Sequence, residues 1–549
     1  MIEEALLWAA QDPEPVHREA VDRLVAANDL DTIADLFTGR LSFGTAGLRA
    51  EMGPGPNRMN QRVVAQTTGG LLLWMHEAGS GTPTTVIGFD ARHNSHKYAR
   101  AAADVVAAAG GRAIIVDSAL PTPVLALAIL DQQADAGIMI TASHNPPADN
   151  GYKLYLADGI QIIPPIDGEI AAAIDRVAAG EIVPDFETPT EVRVVPSDRW
   201  VETHRQAIIQ LIPGPERDIS VVYTAMHGVG GAPFMAAANE AGFPRPLAVP
   251  EQFQPDPDFP TADFPNPEEP GALDLALALA ESSGADAVVA HDPDADRLAI
   301  AVPGPDGVWA RLSGDQVGVL LADHLIRVHA GTPDKNAEQA DTKPAVVAKS
   351  LVSSQQMEAI AEAAGVACET TLTGFKWVAR PIVDQPDRKY LLGYEEALGY
   401  CVGGVVRDKD GISAALVAMQ MLAALKSQGR TAADALEELD DRFGSYRTDS
   451  FSIRLDDGKI TTDEILSSVL RNPPRGLAEP SKVVDLRVDG DLPPTPGVMV
   501  NYTDRSRVIV RPSGTEPKVK FYLEAVGEPE YAVASLRTLS EALTSRFTD

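Results

Sequence analysis

Three acidic residues alternate in the segment "HDPDADR", directly after the apolar run "DAVVA". In an extended backbone, residues i, i+2 and i+4 point to one face, so the carboxylates of Asp292, Asp294 and Asp296 should converge. Converging carboxylates repel one another unless a cation lies between them, and such oxygen ligands suit a hard divalent ion. The pattern predicts a Mg²⁺ site that leaves a place for a phosphate oxygen, with a solvated acidic loop as the alternative. A calcium EF-hand is excluded, because Arg297 and Pro303 stand where that loop needs Gly and Glu.

A serine hydroxyl follows a second apolar run, in "GIMITASHNPPADNGYKLY". Pro146 and Pro147 restrict the backbone after Ser143 and His144, and Lys153 supplies a cation further along. In an extended segment adjacent side chains point apart, which argues against a serine-hydrolase triad built from this pair. The hydroxyl is therefore a candidate carrier of a phosphoryl group, and a capped turn is the alternative.

Two further segments offer donors for anions. In "RPSGTEPK", Arg511, Ser513, Gly514 and Thr515 form a compact group in a turn, which predicts a clamp on a phosphate or else a plain turn. In "LSFGTAGLRA", a glycine-punctuated segment delivers Arg49, and this signal alone does not separate a site residue from a surface arginine.

A pair of glutamates follows the apolar strand pattern of "KYLLGYEEALGY". The carboxylates of Glu395 and Glu396 could bind sugar hydroxyls or begin a helix.

Two familiar nucleotide-binding motifs are incomplete in this sequence. "HGVGGAP" has Pro233 at the third glycine position of a dinucleotide loop, and "GK" at Lys459 lacks the flanking residues of a Walker loop. Neither NAD nor ATP is implied.

The elements that must position these residues are short apolar runs alternating with helical stretches from Thr84 onward, as in parallel sheets covered by helices. The Pro-rich segment 250–270 reads as loop. After Gly444, alternating segments with a helix near Asp463 to Arg471 and an amphipathic C-terminal helix predict a smaller α+β domain. The expected fold is three consecutive α/β units plus this domain. The expected boundaries are 1–200 with the serine loop, 201–310 with the metal loop, 311–443 with the glutamate loop and 444–549 with the phosphate loop.

The composition limits the partners. The chain of 549 residues has 78 acidic and 46 basic residues, a net charge of −32, which disfavours nucleic acid and anionic membranes. Its apolar runs fall short of the roughly 18 residues that a membrane span needs. The acidic start lacks a secretory pattern, so a cytoplasmic location is expected. Cys368 and Cys401 are expected to be buried apolar residues rather than a disulfide.

The serine turn, the three-aspartate loop, the glutamate loop and the C-terminal phosphate loop, in this order, resemble the α-D-phosphohexomutase superfamily from about residue 41 to residue 524. The resemblance implies four domains around a central cleft. It also implies a phosphosugar mutase that works through a phosphoserine and a sugar bisphosphate. Ser143 would carry the phosphoryl group, and a phosphoserine oxygen would join Asp292, Asp294 and Asp296 around one Mg²⁺ per chain.

Further roles follow from the same resemblance. Arg49, Lys153 and Arg297 would flank the transferring phosphoryl group, with Lys153 or His144 carrying the proton. The loop "TLTGFKW" would bring Gly374 and Lys376 to the substrate. Glu395 matches the sugar-binding glutamate. The residues that would hold the non-reacting phosphate are Arg511, Ser513, Gly514 and Thr515.

The sugar is the open point of the resemblance. Ala397 stands where many members have serine, which puts one sugar hydroxyl contact in question. Interconversion of glucose 1-phosphate and glucose 6-phosphate is expected, with mannose phosphates also possible and a sugar bisphosphate as activator. The alternatives are a phosphopentomutase or a sugar-1,6-bisphosphate synthase, and more remotely a sugar phosphatase or a non-catalytic binder. The expected assembly is a monomer or homodimer.

Overall fold

The computed structural model describes residues 1–41, 43, 47–181, 191–331, 343–455, 460–513 and 518–547. The chain forms two compact units. The first contains Met1–Arg311 and Gly399–Gln420, and the second contains Leu312–Leu398 and Met421–Asp549. No helix among the described residues is both long and apolar enough to cross a lipid bilayer. The domain boundaries expected near residues 200, 310 and 443 stay predictions.

Three helices at the N-terminus pack on one another around Trp8, Val21, Ile33 and Phe37. They are α1 (Ile2–Gln11), α2 (Pro15–Ala27) and α3 (Leu30–Phe37). The side chain of Asp29 caps α3 by accepting a hydrogen bond from the amide of Thr32 at 3.1 Å.

A six-stranded mixed sheet follows, in the order β1-β5-β4-β2-β3-β6. Strands β2, β3, β4 and β6 are parallel, whereas β5 is antiparallel to both β4 and β1. Every residue of β4 is buried, which explains its unbroken apolar sequence. The strands are β1 (Leu48–Glu51), β2 (Thr84–Phe89), β3 (Arg112–Val116), β4 (Ala136–Ile140), β5 (Asp149–Leu156) and β6 (Arg193–Val195). The helices are α4 (Gln61–Glu77), α5 (Ser95–Ala108), α6 (Thr122–Asp131), α7 (Ile166–Ala178) and α8 (Ser197–Ile208).

The second sheet has five strands in the order β11-β10-β9-β7-β8, with β8, β7 and β9 parallel. The strands are β7 (Val221–Thr224), β8 (Leu247–Ala248), β9 (Ala287–Ala290), β10 (Ala299–Pro303) and β11 (Trp309–Arg311). The helices are α9 (Gly231–Glu240), α10 (Pro250–Phe253) and α11 (Asp274–Ser283). The Pro-rich segment is loop from residue 254 to 270, but its first four residues form α10 because a proline at the first helical position needs no amide partner.

The second unit begins with parallel strands in the order β13-β12-β14. Its elements are α12 (Gly314–Gly331), β12 (Ala345–Ser350), α13 (Gln356–Ala363), β13 (Ala367–Thr371), α14 (Phe375–Val378), α15 (Pro381–Asp384) and β14 (Lys389–Glu395). Strand β15 (Gly399–Val402) and the first part of α16 (Gly411–Ser427) belong to the first unit. The apolar pattern of "KYLLGYEEALGY" therefore breaks after Glu395 into a turn, and no helix begins at the glutamates.

The C-terminal part is an antiparallel sheet in the order β16-β20-β19-β18-β17 with two helices. Its core includes Ile465, Val469, Phe521 and Leu539. The smaller α+β domain expected after residue 444 is confirmed. Its elements, preceded by α17 (Ala432–Phe443), are β16 (Ser445–Arg454), α18 (Thr462–Arg471), β17 (Pro480–Asp485), β18 (Val498–Tyr502), β19 (Arg507–Pro512), β20 (Lys518–Gly527) and α19 (Pro529–Phe547).

Candidate active site

The hydroxyl of Ser143 lies just beyond the end of β4, in a turn rather than in extended chain. Its backbone adopts φ of 54°, in the left-handed region that few non-glycine residues occupy. Ser143 is 1% exposed, and its Oγ donates to Oδ2 of Asp292 at 2.8 Å. The predicted serine and the first predicted metal ligand are therefore in direct contact.

The turn also brings Ser143 and His144 together. Oγ lies 3.1 Å from Nδ1 of His144, whereas an extended segment would have pointed the two side chains apart. The expected geometry was wrong here because the left-handed residue reverses the chain direction. The other ring nitrogen, Nε2, lies 3.5 Å from Nη2 of Arg297, so a cation occupies the place that a triad carboxylate would take. This contact with Arg297 is the reason to exclude a serine-hydrolase triad built on Ser143 and His144.

The three aspartates follow β9 in a turn. Ala295 has φ of 56°, and one carboxylate oxygen from each of Asp292, Asp294 and Asp296 lies within 4.8 Å of the others. The predicted convergence is present, but a tight turn produces it instead of extended backbone.

The oxygens of these carboxylates differ in their partners. Asp292 accepts hydrogen bonds on both oxygens, from the amide of Arg297 at 3.0 Å and from Ser143. Oδ2 of Asp294 accepts from Lys153 at 2.7 Å, and Oδ2 of Asp296 accepts from the same ammonium at 2.8 Å. Oδ1 of Asp294 and Oδ1 of Asp296 are buried and accept no hydrogen bond from the described part of the chain. Two buried, unshared carboxylate oxygens beside a third carboxylate fit a hard divalent cation.

Burial and charge set the protonation of this cluster. Burial, reinforced by the neighbouring carboxylates, raises the pKa of Asp292 to about 8. Burial acts in the same direction on Asp296, but the ammonium groups of Lys153 and Lys409 prevail and hold its pKa well below the ordinary value. For His144, burial and the nearby guanidinium of Arg297 lower the pKa well below its usual range. The imidazole is therefore neutral at neutral pH.

Strand pairing delivers two of the predicted cations. Lys153 lies on β5 opposite Met139 of β4, and it is 1% exposed. Arg49 lies on β1 opposite Gly151, and its Nη1 donates to Oδ1 of Asn145 at 3.3 Å. Gly47, just before β1, lets the chain pass close to β5. It has φ of 87°, and a Cβ there would lie 2.3 Å from a backbone oxygen of β5.

A further cation, Lys409, was missed by sequence reasoning. Its Nζ lies 3.2 Å from Oδ2 of Asp296, and the segment before α16 that carries it belongs to the same unit. Asp408 beside it accepts from the hydroxyl of Tyr155 at 2.7 Å, which ties this segment to β5. The alternating charges of "RDKDG" were the available signal.

A second buried cluster, Asp12, Glu14 and His17, has its ligand atoms equally close together. Here each carboxylate oxygen is engaged. Asp12 accepts from the amide of Glu14 and contacts Nδ1 of His17, while Glu14 accepts from the amide of Gln61 at 3.1 Å and from Lys97. This cluster anchors the N-terminal helices to α4 and α5, and it does not resemble the metal loop.

In the second unit the loop "TLTGFKW" meets the glutamate loop. The amide of Gly374, which has φ of 111°, donates to Oε1 of Glu395 at 2.7 Å. Glu396 instead accepts hydrogen bonds from the hydroxyls of Ser350 and Ser353 at 3.1 and 3.2 Å. Lys376 lies in the short helix α14 and is 8% exposed. The structure thus pairs Gly374 with Glu395 and turns the Glu396 carboxylate toward the end of β12.

The predicted phosphate clamp is only partly described. Arg511 lies on β19 opposite Lys520 of β20, and the amide of Ser513 donates to the carbonyl oxygen of Lys518 at 2.8 Å. Gly514 and Thr515 lie outside the described residues. The clamp therefore stays a prediction.

Comparison with known proteins identifies the family. Models of four phosphoglucomutase/phosphomannomutase domains match this chain: α/β/α domain I at residues 40–181, domain II at 198–305, domain III at 313–443 and the C-terminal domain at 469–537. Together they span most of the sequence in the expected order.

Individual proteins agree. A "Probable phosphomannomutase" of Haemophilus influenzae is 42% identical over 480 residues, covering 86% of this chain and 93% of that protein. The phosphopentomutase of Homo sapiens is 34% identical over 590 residues, covering 99% and 95%. A phosphoglucomutase/phosphomannomutase family protein from Burkholderia thailandensis shares the fold, with a TM-score of 0.69 at 18% identity over 92% of this chain and 97% of that one. The chain therefore belongs to the phosphoglucomutase/phosphomannomutase family of phosphomutases, within the α-D-phosphohexomutase superfamily.

Proposed function

We propose that this phosphomutase interconverts sugar 1-phosphates and 6-phosphates, with glucose as the preferred sugar, through a phosphoryl group carried on Ser143. One observation carries the proposal: Oγ of Ser143 lies 2.8 Å from a carboxylate of the buried three-aspartate cluster. A phosphoryl group on that oxygen would be next to the site that fits a divalent cation. Phosphoryl transfer requires mainly such positioning and charge stabilisation.

The proposed cycle has two transfers. In the first, the bond between phosphorus and Oγ of Ser143 breaks while the phosphorus bonds to a free sugar hydroxyl oxygen, and the proton that this oxygen loses ends on Oγ. The resulting sugar bisphosphate turns around. In the second, the other phosphorus breaks its bond to the sugar oxygen and bonds to Oγ, and the proton that Oγ loses ends on the released sugar oxygen. The two side chains suited to carry that proton are Lys153 and His144.

The residues around Ser143 support both transfers. Arg49, Lys153, Arg297 and Lys409 give four cations around three carboxylates, so an anionic phosphoryl group would be attracted despite the net charge of the chain. A Mg²⁺ ion held by the three aspartates would add positive charge at the phosphoryl oxygens. The proposal includes one such ion per chain and a sugar bisphosphate that activates the enzyme by phosphorylating Ser143.

The central test is the substitution Ser143→Ala. We expect it to abolish both mutase activity and incorporation of labelled phosphate from glucose 1,6-bisphosphate, because the substitution removes the oxygen that would carry the phosphoryl group. Ser282→Ala, which changes an exposed serine of α11, is the control and should retain activity. Labelling of the Ser143→Ala protein at the wild-type rate would contradict the proposal.

A pentose substrate is the second candidate, favoured by the phosphopentomutase relative that covers nearly the whole chain. The two candidates are separated by kcat/KM values for glucose, mannose, ribose and deoxyribose 1-phosphates, measured with Mg²⁺ and a bisphosphate activator. We expect glucose 1-phosphate to have the highest value. A higher value for either pentose would reverse the assignment while leaving the role of Ser143 intact.

A further inference from the structure

Arg92, which follows β2 in "GFDARHN", plays no part in the proposed site, yet its guanidinium lies directly behind the serine turn. Nη1 donates to the carbonyl oxygens of Pro146 at 2.8 Å and Asp149 at 3.2 Å. Nη2 donates to the carbonyl oxygens of Ser143 at 2.6 Å and Asn145 at 2.5 Å. One side chain thus holds four backbone carbonyls, three from the loop that joins β4 to β5 and one from the first residue of β5.

A second connection holds the amide side of Ser143. Its backbone N–H donates to Oγ1 of Thr141 at 2.8 Å, and that hydroxyl donates to Oδ2 of Asp90 at 2.6 Å. The same Asp90 oxygen lies 3.4 Å from Nε of Arg92. The amide and the carbonyl of Ser143 are therefore both tied to one buried pair, Asp90 and Arg92.

This arrangement matters because Ser143 is in a left-handed conformation, with φ of 54°. A non-glycine residue keeps such a backbone only where the surrounding structure determines it. Relaxation toward an ordinary φ would redirect Oγ, which now points at Asp292. The contacts of Arg92 oppose that relaxation directly.

The chemistry of the side chain fits the role. Arg92 is 5% exposed, and its guanidinium lies 4.9 Å from the ring centre of Phe259, which belongs to the loop after α10. A planar guanidinium presents its donors in a rigid fork, whereas a lysine ammonium is a single point charge and cannot reach four separate carbonyls. Lysine at this position would keep the positive charge but would not hold the four carbonyls together.

We propose that Arg92 is a positioning residue for phosphoryl transfer, holding the turn so that the phosphoryl group on Ser143 points at the incoming sugar hydroxyl. This inference rests on the proposed role of Ser143. It predicts a defect in transfer, not in substrate binding, because Arg92 donates to backbone that carries Oγ and lies behind the turn.

The test uses Arg92→Lys and Arg92→Gln in the full-length protein. Arg217→Gln is a matched control, because Arg217, like Arg92, donates to backbone carbonyls and lies against an aromatic ring. It donates to three carbonyls at 2.7 to 2.8 Å, and its guanidinium lies 4.8 Å from the ring of Phe243. Each protein is phosphorylated with labelled glucose 1,6-bisphosphate. Transfer of the label to glucose 1-phosphate and loss of the label to water are then measured, with kcat, KM and the thermal midpoint.

We expect kcat and the transfer rate to fall by about 100-fold in both Arg92 variants, the effect typical of a misplacement near 1 Å. KM should change little, and the ratio of hydrolysis to transfer should rise. Arg217→Gln should lower only the thermal midpoint. Transfer by Arg92→Lys at the wild-type rate would overturn the inference, and so would failure of both Arg92 variants to fold, since Arg92 would then act in folding. Absence of label on Ser143 in the wild-type protein would instead refute the proposed function.

Discussion

At the scale of single residues, two unshared oxygens determine what the aspartate loop can hold. Oδ1 of Asp294 and Oδ1 of Asp296 are buried without a hydrogen-bond donor from the described residues, while Lys153 engages only their Oδ2 atoms. In the cluster of Asp12, Glu14 and His17, by contrast, every carboxylate oxygen is engaged. The two clusters have equally close acidic groups, but only the aspartate loop keeps carboxylate oxygens that a cation could bind.

The first prediction concerns Asp294→Asn. Replacing one oxygen by an amide removes a ligand charge, and even changing a residue that only supports a metal ligand costs about 10- to 100-fold in affinity. We expect Mg²⁺ binding, measured by calorimetry on the unphosphorylated protein, to weaken at least about 10-fold. Asp258→Asn, an exposed carboxylate paired with His93, should bind Mg²⁺ as the wild type does. Unchanged affinity in Asp294→Asn would place the ion elsewhere.

The second prediction concerns Asp315, which lies in the second unit and accepts from the amide of Ser354 at 2.7 Å and the hydroxyl of Tyr394 at 3.0 Å. Burial, with Glu524 and Glu396 nearby, raises the pKa of Asp315 to about 6 from an ordinary value of 3.8. The folded state therefore binds this proton more tightly than the unfolded chain does. Stability is lost as the pH rises from about 4 to about 6.

Asp315→Asn removes this dependence. Relative to the wild type, its unfolding free energy should rise by about 1 kcal/mol between pH 5 and pH 7.5, as denaturant unfolding at the two pH values would measure. Glu362→Gln changes an exposed carboxylate of α13 and should show no such pH dependence. If the unfolding free energy of Asp315→Asn relative to the wild type stays constant or falls with rising pH, the Asp315 carboxyl is not held protonated.

At the scale of elements, the loop after β7 supports the loop after β9. Met226 and His227 both have positive φ, and the chain then passes close to the metal loop through "GVGG". The amide of Val229 donates to the carbonyl oxygen of Pro293 at 2.8 Å. The glycine-rich segment that imitates a dinucleotide loop is therefore a packing surface for the aspartate turn.

Gly228 is where this packing is closest. A Cβ on Gly228 would lie 2.3 Å from Cα of Pro293, a backbone atom between Asp292 and Asp294. Gly228→Ala should therefore displace the aspartate turn and lower kcat by about 10- to 100-fold, with a higher Mg²⁺ requirement. Gly168→Ala in α7, where a Cβ meets nothing within 4 Å, is the control. Wild-type Mg²⁺ activation in Gly228→Ala would refute the supporting role of this loop.

At the scale of the whole molecule, the net charge of −32 is the dominant long-range property. Self-repulsion of excess charge destabilises a compact state, and salt screens it, with a Debye length near 30 Å at 0.01 M and near 8 Å at 0.15 M.

The fourth prediction is that the thermal midpoint rises with NaCl over this range. The rise should be about 2–4 °C for each kcal/mol of repulsion relieved in a domain of 150 to 250 residues. Scanning calorimetry at fixed pH measures it. A midpoint that falls with salt would mean that ion pairs such as Arg176 with Glu77 and Glu181 outweigh the repulsion.

The amino-acid sequence by itself determined the alternation of strands and helices, the smaller C-terminal α+β domain, the order of the polar loops and the aspartate spacing. These features are local, because periodicity and turn chemistry act over a few residues. From them the resemblance to the family could be recognised, and through it the convergence of Arg49, Lys153, Arg297 and the three aspartates around Ser143 could be predicted.

Only the tertiary structure decided how the loops contact one another. The left-handed turn brings His144 to Ser143, Glu396 faces Ser350 and Ser353, and Lys409 reaches Asp296. Arg92 gathers the carbonyls of a loop more than 50 positions away. The contacts between residues distant in sequence depend on strand order and crossover connections, which carry no periodic signal, and so they form only when the sheets are assembled.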